Sequence, residues 1–227
     1  MSVTAQLLAL VPIAYLVGSI PFGLIVGLAK GVDPRKAGSG NIGATNVGRL
    51  LGGRFFALVF ILDLLKGLLP MLAAGYVLHG HAHAAHEYDL WLLIGFAAIA
   101  GHMFSLFLKF KGGKGVATGA GVALGIFPYF TIPAVIGLAT FGLVFLISRI
   151  VSLASIIAAA VFPIAYVIVG WLMGWDIFGS QLPLLIFAAL LCAMIIYRHR
   201  SNIARLRAGT ENRFAPALKP NESKPPA

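Results

Sequence analysis

Residues 116–148 read VATGAGVALGIFPYFTIPAVIGLATFGLVFLIS, an apolar run without a single charged side chain. A helix needs about 20 apolar residues to cross a bilayer, so this run is too long for one simple crossing. Pro128 and Pro133 lie near its middle, and proline breaks a helix interior. The run therefore predicts a hairpin of two short helices; one long kinked helix is the alternative.

The rest of the chain has the same apolar character. Of its 227 residues, 59% are hydrophobic and only 11% are charged, whereas soluble domains carry about 25% charged residues. This composition predicts an all-α integral membrane protein with seven transmembrane helices, some of them short or broken. The apolar segments lie at about 4–29, 55–78, 90–108, 115–127, 131–147, 151–172 and 181–197.

Basic residues collect on one side of this arrangement. Seven crossings place sixteen of the seventeen Lys and Arg residues on that side, whereas the N-terminus and loops 79–89 and 174–181 contain none. The positive-inside rule then places the C-terminus in the cytoplasm and the N-terminus outside. With six crossings the asymmetry is lost. The net charge of +10 is thus a feature of membrane topology, and we expect no nucleic-acid partner.

The first of three polar segments, residues 38–49, reads GSGNIGATNVGR. Glycines let backbone N–H groups approach an anion closely, and Arg can bind phosphate through two hydrogen bonds. The segment therefore predicts an anion site on the cytoplasmic side. Its candidate residues are Ser39, Asn41, Thr45, Asn46 and Arg49.

The second polar segment, residues 109–118, combines glycines and lysines directly before a helical run. Backbone donors, cations and a helix N-terminus at one point favour phosphate binding. The alternative is a basic loop that contacts anionic lipid headgroups. The candidate residues are Lys111, Gly112, Gly113, Lys114 and Gly115.

The third polar segment, residues 197–206, begins where the last apolar segment reaches the cytoplasm. His199 and Asn202 are three positions apart, so a helix places them on one face. A histidine beside an amide can orient or deprotonate a hydroxyl. The alternative is an anchor of basic residues that extend to the membrane surface.

Three other polar features lie outside these segments. Asp63 and Lys66 are one helical turn apart within an apolar segment, which predicts an internal ion pair. His102 is interpreted as a hydrogen-bonded packing residue in preference to a catalytic one. The His-rich loop 79–86 could hold a metal, but it lies opposite the polar segments, and we expect no metal site there.

Six stretches of this chain resemble the bacterial acyl-phosphate-dependent glycerol-3-phosphate acyltransferases, the PlsY family. The resemblance extends from about residue 11 to Glu211, nearly the whole chain. The stretches are 18–23, 38–46 with Arg49, 63–67, 101–102, 110–118, and 199–206 with Gly209 and Glu211.

The resemblance implies transfer of a fatty acyl group from acyl phosphate to the sn-1 hydroxyl of glycerol 3-phosphate. The products are lysophosphatidate and phosphate, an early step of phospholipid synthesis. It also implies that neither acyl carrier protein nor CoA is required, and that the enzyme lies in the bacterial cytoplasmic (inner) membrane with its active site on the cytoplasmic side. We expect no cofactor and no metal, because side chains already supply the cations.

The resemblance also implies roles for individual residues. Ser39, Arg49, His199 and Asn202 match residues needed for activity, and Glu211 matches a structural residue. Asn41, Thr45 and Asn46 match nearby polar contacts, and the loop 111–115 matches the glycerol 3-phosphate site. The hydroxyl attacks the acyl phosphate directly, and Ser39, His199 or a substrate phosphate oxygen helps to remove its proton.

Two other classes of function fit parts of the sequence. Broken helices and glycine-rich stretches also occur in transporters, but the chain shows no internal repeat and its polar segments lie on one membrane face. A non-catalytic membrane anchor leaves the Asn and Gly content of residues 38–49 unexplained. We predict a single transmembrane catalytic domain over residues 1–214 and a disordered cytoplasmic tail over residues 215–227.

Overall fold

The structure, a computed structural model, describes residues 1–79 and 85–214. Within these ranges the regular structure is helical, with ten α-helices and one short 3-10 helix, Leu106–Leu108. The His-rich loop falls largely between the two ranges, and the predicted tail follows them. The α-helices are α1 Val3–Ser19, α2 Phe22–Ala29, α3 Ala44–Leu51, α4 Gly53–Leu78, α5 Ala85–Met103, α6 Val116–Gly125, α7 Thr131–Ser148, α8 Val151–Leu172, α9 Leu182–Arg198 and α10 Arg200–Arg207.

Among the described residues, five helical segments are long and apolar enough to cross a bilayer. They are α1 with α2, α4, the stretch from Asp89 to Leu108, α7, and α8. A sixth span forms if α9 and α10 count as one helix with a 60° bend, and the apolar helix α6 has only 10 residues. The all-α membrane fold with short and broken helices is therefore confirmed. The count of seven crossings and their orientation stay predictions.

The apolar run at residues 116–148 contains two helices separated by a short loop. Helix α6 ends at Gly125 and α7 begins at Thr131, so the predicted hairpin is correct and the single kinked helix is not. Pro128 lies in the loop, and Pro133 lies in the first turn of α7, where a missing N–H breaks no helical hydrogen bond. The hydroxyl of Thr131 donates to the carbonyl of Leu124 across the loop at 3.0 Å.

The predicted internal ion pair is confirmed on α4. The ammonium of Lys66 lies 2.8 Å from the carboxylate of Asp63, and both side chains are almost fully buried. Lys66 also donates to the carbonyl of Ile20 at the break between α1 and α2, and the same carbonyl accepts the backbone N–H of Phe22. Pairing offsets the cost of placing both charges inside the membrane. The hydrogen bond from Lys66 to Ile20 also joins α4 to the break between α1 and α2.

Glycines allow the helices to pack backbone against backbone. A Cβ added at Gly18 on α1 would lie 2.1 Å from the carbonyl oxygen of Ala98 on α5, and one at Gly101 would lie 2.2 Å from that of Tyr15. Helix α4 meets α6 in the same way at Gly67. Small residues at such contacts replace the hydrophobic driving force that lipid does not supply.

Replacing Gly18 by alanine should destabilise the protein, because the new methyl group meets backbone atoms and forces α1 away from α5. Overpacking of this kind costs about 1–3 kcal/mol. The readout is the midpoint of thermal unfolding in detergent. Gly142→Ala is the matched control, since nothing lies within 4 Å of its added Cβ on α7. Equal midpoints for the two variants would contradict the close-packing interpretation.

Candidate active site

The three polar segments meet at one end of the helices and line a single cleft. The cleft encloses about 1030 Å³ of empty space, part of it open to solvent. Seven of the residues named from the sequence lie on it with a polar side chain, besides Asn46 and the backbone of Gly115. The seven are Ser39, Asn41, Thr45, Arg49, Lys114, His199 and Asn202.

Asn46 shapes the first polar segment. Its side-chain oxygen accepts the backbone N–H of Ser39 at 2.9 Å, and its side-chain nitrogen donates to the carbonyls of Pro34, Ala37 and Asn41. The amide is 2% exposed. Both ends of the amide are thus used inside the loop, so Asn46 holds Ser39 in place. Its role as a direct substrate contact stays a prediction.

Arg49 projects into the cleft from α3. One of its terminal nitrogens donates to the carbonyl of Asn212 at 2.9 Å, which joins α3 to the C-terminal segment. Its buried Nε has no hydrogen-bond partner among the described residues. The guanidinium group is therefore fixed at one end and keeps donor capacity for an anion.

The second polar segment is fastened to its neighbours by backbone hydrogen bonds. The N–H groups of Gly112 and Gly113 donate to the carbonyls of Met103 and His102, each at 3.1 Å. Arg198, at the end of α9, donates to the carbonyls of Gly112 and Gly113 in turn. The loop is thus held between α5 and α9.

Gly112 and Gly113 are required for packing. An added Cβ would lie 2.0 Å from the carbonyl oxygen of His102 at Gly112, and 2.2 Å from its ring Nε2 at Gly113. The sequence predicted instead that these glycines bring N–H groups to a phosphate. Neither they nor the exposed Lys111 line the cleft, so direct substrate contact by these three residues stays a prediction.

Lys114 is the cation that this loop places in the cleft. Its ammonium donates to the side-chain oxygen of Asn202. Burial lowers the pKa of Lys114 to about 8; the positive charges of Arg205 and Arg49 add to this effect, while Glu211 opposes it. The amine therefore carries its proton at neutral pH and loses it in mildly alkaline solution.

His199 lies at the 60° bend between α9 and α10. It is 3% exposed, and its Nδ1 is 2.8 Å from the carbonyl oxygen of Ile195. A carbonyl oxygen can only accept a hydrogen bond, so Nδ1 carries the proton and Nε2 of the neutral ring is an acceptor. The bend thus gives this histidine the tautomer that a general base needs.

Glu211 connects four parts of the site. Its carboxylate accepts hydrogen bonds from Ser152 at 2.9 Å and from Asn202 and Arg205 at 2.7 Å each. Burial raises its pKa, but the hydrogen bonds from these three side chains outweigh burial, so the pKa lies below its usual value. The ionised carboxylate fixes Asn202, and through it Lys114. This geometry supports the structural role implied by the resemblance.

Besides Ser201, Arg205 and Glu211 of the stretches quoted above, four polar residues of the cleft were not chosen as site residues from the sequence. Ser152 and Ser155 lie on the first turns of α8, and Asp63 and His102 also reach the cleft wall. The signal for the serines was two hydroxyls three positions apart at the N-terminal end of an apolar helix. Arg205 belongs to a quoted segment, but no role was assigned to it.

His102 differs in part from its expected role. It is 5% exposed, as a packing residue should be, and its ring contacts the loop at Gly113. However, its Nδ1 has no hydrogen-bond partner among the described residues and lies 3.8 Å from a carboxylate oxygen of Asp63. The ring therefore packs against the loop at Gly113 and supports it.

An apolar groove with about 570 Å³ of empty space adjoins the polar cleft. It lies between α6, α7, α8 and α9, and Cys192 is on its wall, where a packing role was expected. Four residues line both cavities, namely Phe60, Val116, Phe141 and Ser155. The two cavities therefore adjoin each other, and together they suit an amphiphilic molecule with an anionic headgroup.

Comparisons with known proteins agree on one family. The glycerol-3-phosphate acyltransferase family model matches residues 8–209. A glycerol-3-phosphate acyltransferase of Trichlorobacter lovleyi is 47% identical over 202 residues, which cover 88% of this chain and 94% of the relative. One of Geobacter sulfurreducens is 46% identical over 209 residues, which cover 91% and 97%.

Two solved structures are similar in fold. Crystal structures of PlsY, an integral membrane glycerol 3-phosphate acyltransferase, match at TM-scores of 0.75 for its glycerol 3-phosphate form and 0.74 for its lysophosphatidic acid form. Each is 42% identical in sequence and covers 92% of this chain; the chain covers 96% and 95% of the two structures. By sequence and by fold, this chain belongs to the glycerol-3-phosphate acyltransferase family of integral membrane proteins.

Proposed function

We propose that this protein transfers a fatty acyl group from acyl phosphate to the sn-1 hydroxyl of glycerol 3-phosphate, forming lysophosphatidate and phosphate. Family membership gives the coarser activity, acyl transfer to glycerol 3-phosphate. The observation that carries the finer proposal is a cation-lined polar cleft directly beside an apolar groove, with four lining residues in common. One part binds phosphate groups and the other binds a fatty chain.

The phosphate groups bind to the cations of the cleft. Arg49, Lys114 and Arg205 all line it, and the nearby carboxylate of Glu211 is already taken up by its three donors. Positive charge therefore exceeds negative charge where two phosphorylated substrates must lie together. Ser39, Asn41 and Thr45 add hydrogen-bonding groups on the α3 side, so both substrates can be oriented before reaction.

The reaction is a direct displacement. The sn-1 oxygen attacks the acyl carbonyl carbon, the bond from that carbon to the phosphate oxygen breaks, and phosphate leaves with the electron pair. Lys114 and Arg49 stabilise the negative charge that develops. Because phosphate is a good leaving group, no covalent acyl-enzyme is needed. Consistent with this, Cys192 lies in the apolar groove, away from the cations.

The hydroxyl proton needs an acceptor, and Nε2 of His199 meets the requirement. Its tautomer is fixed by the bond from Nδ1 to Ile195. A phosphate oxygen of a substrate is the second candidate, because two phosphate groups occupy the same cleft. The loss of activity in a His199 variant distinguishes the histidine from the substrate phosphate, since removal of a general base lowers the rate by about 10²–10⁴-fold.

The donor and the location follow from the same features. Acyl phosphate needs only the cations and the apolar groove, so neither acyl carrier protein nor CoA has to dock. By the positive-inside rule, the basic residues at the cleft support a position on the cytoplasmic side of the bacterial inner membrane. Family membership favours this enzyme over the transporter and the anchor.

Ser39→Ala and His199→Ala should each lose most activity, because Ser39 presents a hydroxyl to the substrates and His199 accepts the proton. We expect kcat to fall by about 10²–10⁴-fold for His199→Ala. The assay measures lysophosphatidate formed by purified protein in a lipid environment from glycerol 3-phosphate and palmitoyl phosphate. A loss below about tenfold for His199→Ala would assign proton removal to a substrate phosphate.

Ser180→Ala is the matched control, because Ser180 is exposed in the loop between α8 and α9 and does not line the cleft. It should keep full activity. Unchanged product formation in both Ser39→Ala and His199→Ala would refute the site. The absence of product from the unmodified protein would refute the donor.

The pH dependence of the reaction should report on Lys114. Its pKa is lowered to about 8, so the charged form is present below that pH and is lost as the pH rises through it. In the unmodified enzyme, kcat/KM for glycerol 3-phosphate should fall above about pH 8, approaching tenfold per pH unit. Lys114→Arg should remove this decline, because a guanidinium group stays charged.

The control for this experiment is Lys109→Arg, a change at an exposed lysine outside the cleft. Its pH profile should follow that of the unmodified enzyme. The comparison uses the shape of each profile, since arginine at position 114 can also lower the absolute rate. If Lys114→Arg declines along the same alkaline curve as the unmodified enzyme, Lys114 is not the titrating group.

A further inference from the structure

We propose that the apolar groove measures the length of the acyl chain, and that Ala134 and Phe162 form the end wall that sets the limit. The proposal rests on the proposed function, because it assumes that a fatty acyl group enters this groove from the polar cleft. It adds the residues that select among donors.

The depth of the groove can be measured along three helices, and the three lengths are equal. From a residue at the mouth to one at the far end, the lining runs from Val116 to Ala123 on α6, from Phe141 to Ala134 on α7 and from Ser155 to Phe162 on α8. The end residues of each stretch are seven positions apart, which corresponds to about 10.5 Å of helix. The groove is therefore about two-thirds as deep as one leaflet of a bilayer core, roughly 15 Å.

Small residues keep the groove open along this depth. Gly119 and Ala120 line it from α6, Gly137 from α7, and Ala158 from α8. A Cβ added at Gly119 would lie 3.1 Å from a methyl carbon of Leu191 on the opposite wall. Larger side chains at these positions would occupy the space that an acyl chain needs.

Aromatic packing supports Phe162 at the far end of the groove. The ring of Phe162 lies edge-on against Phe130, with centroids 5.1 Å apart, and Phe130 contacts Tyr166 in the same way at 5.2 Å. Phe130 and Tyr166 are fully buried. A wall supported in this manner cannot yield without disrupting the core. Ala134 completes it from α7.

This geometry predicts a break in chain-length dependence. Each methylene that enters the groove increases binding by about fourfold, the equivalent of about 0.8 kcal/mol. Once the chain reaches the end wall, further methylenes gain nothing there. We therefore expect kcat/KM to rise with donor length and then to level off or fall.

The experiment measures kcat/KM of the full-length protein for acyl phosphates from hexanoyl to stearoyl, at saturating glycerol 3-phosphate. Ala134→Leu brings the wall forward, so the break should move to shorter donors, and the ratio of kcat/KM for long donors to that for short donors should fall roughly fifteenfold, equal to about two lost methylenes. Phe162→Leu moves the wall back, so the break should move to longer donors. Activity with the shortest donor shows that each variant is folded.

Ala139→Leu is the matched control, since Ala139 is exposed on the same helix and does not line the groove. Its chain-length profile should match that of the unmodified protein. The proposal that the groove measures chain length is refuted by one result. In that result Ala134→Leu and Phe162→Leu turn over the short donors, but their kcat/KM stops rising at the same donor length as in the unmodified protein. If the unmodified protein turns over no acyl phosphate, the donor assignment is overturned, and with it the proposal that the groove measures chain length.

Discussion

The site depends on one carboxylate placed among cations. Glu211 accepts hydrogen bonds from α8 through Ser152 and from α10 through Asn202 and Arg205, and Asn202 in turn accepts from Lys114. Without this carboxylate, Arg205 and Lys114 would repel each other in a poorly solvated cleft. The negative charge holds the cations in place and leaves them in excess, which is what a phosphate site requires.

The polar segments use much of their polarity to maintain their own shape. The side-chain amide of Asn46 forms hydrogen bonds with the backbone of the first segment. The N–H groups of Gly112 and Gly113 donate to carbonyls at the end of α5. Irregular backbone inside a membrane protein has to satisfy its own N–H and C=O groups, because lipid offers no partners. The density of Asn and Gly in these loops thus has a structural cause as well as a chemical one.

Several features could be predicted because they depend on local chemistry. The uncharged run at residues 116–148, interrupted by Pro128, predicted two helices. Asp63 and Lys66, one turn apart in an apolar helix, predicted an ion pair, since isolated charges are too costly there. The basic residues predicted that the polar segments share one side of the membrane, and the segments do meet in one cleft.

Other features could not be predicted, because they depend on contacts between distant parts of the chain. Which glycines face substrate and which pack on His102 depends on where α5 lies against the loop. Ser152 joins the site only because Glu211, far along the chain, reaches it. The unpaired Nδ1 of His102 likewise results from its distance to Asp63.

By itself the sequence determined the membrane class, the helical hairpin and the three polar segments, because hydropathy, proline and charge act locally along the chain. Only the tertiary structure decided that Arg49, Lys114 and His199 face one cleft and that this cleft adjoins an apolar groove. The depth of that groove is set by which residues of α6, α7 and α8 line it. The residue pattern of a single segment does not reveal this depth.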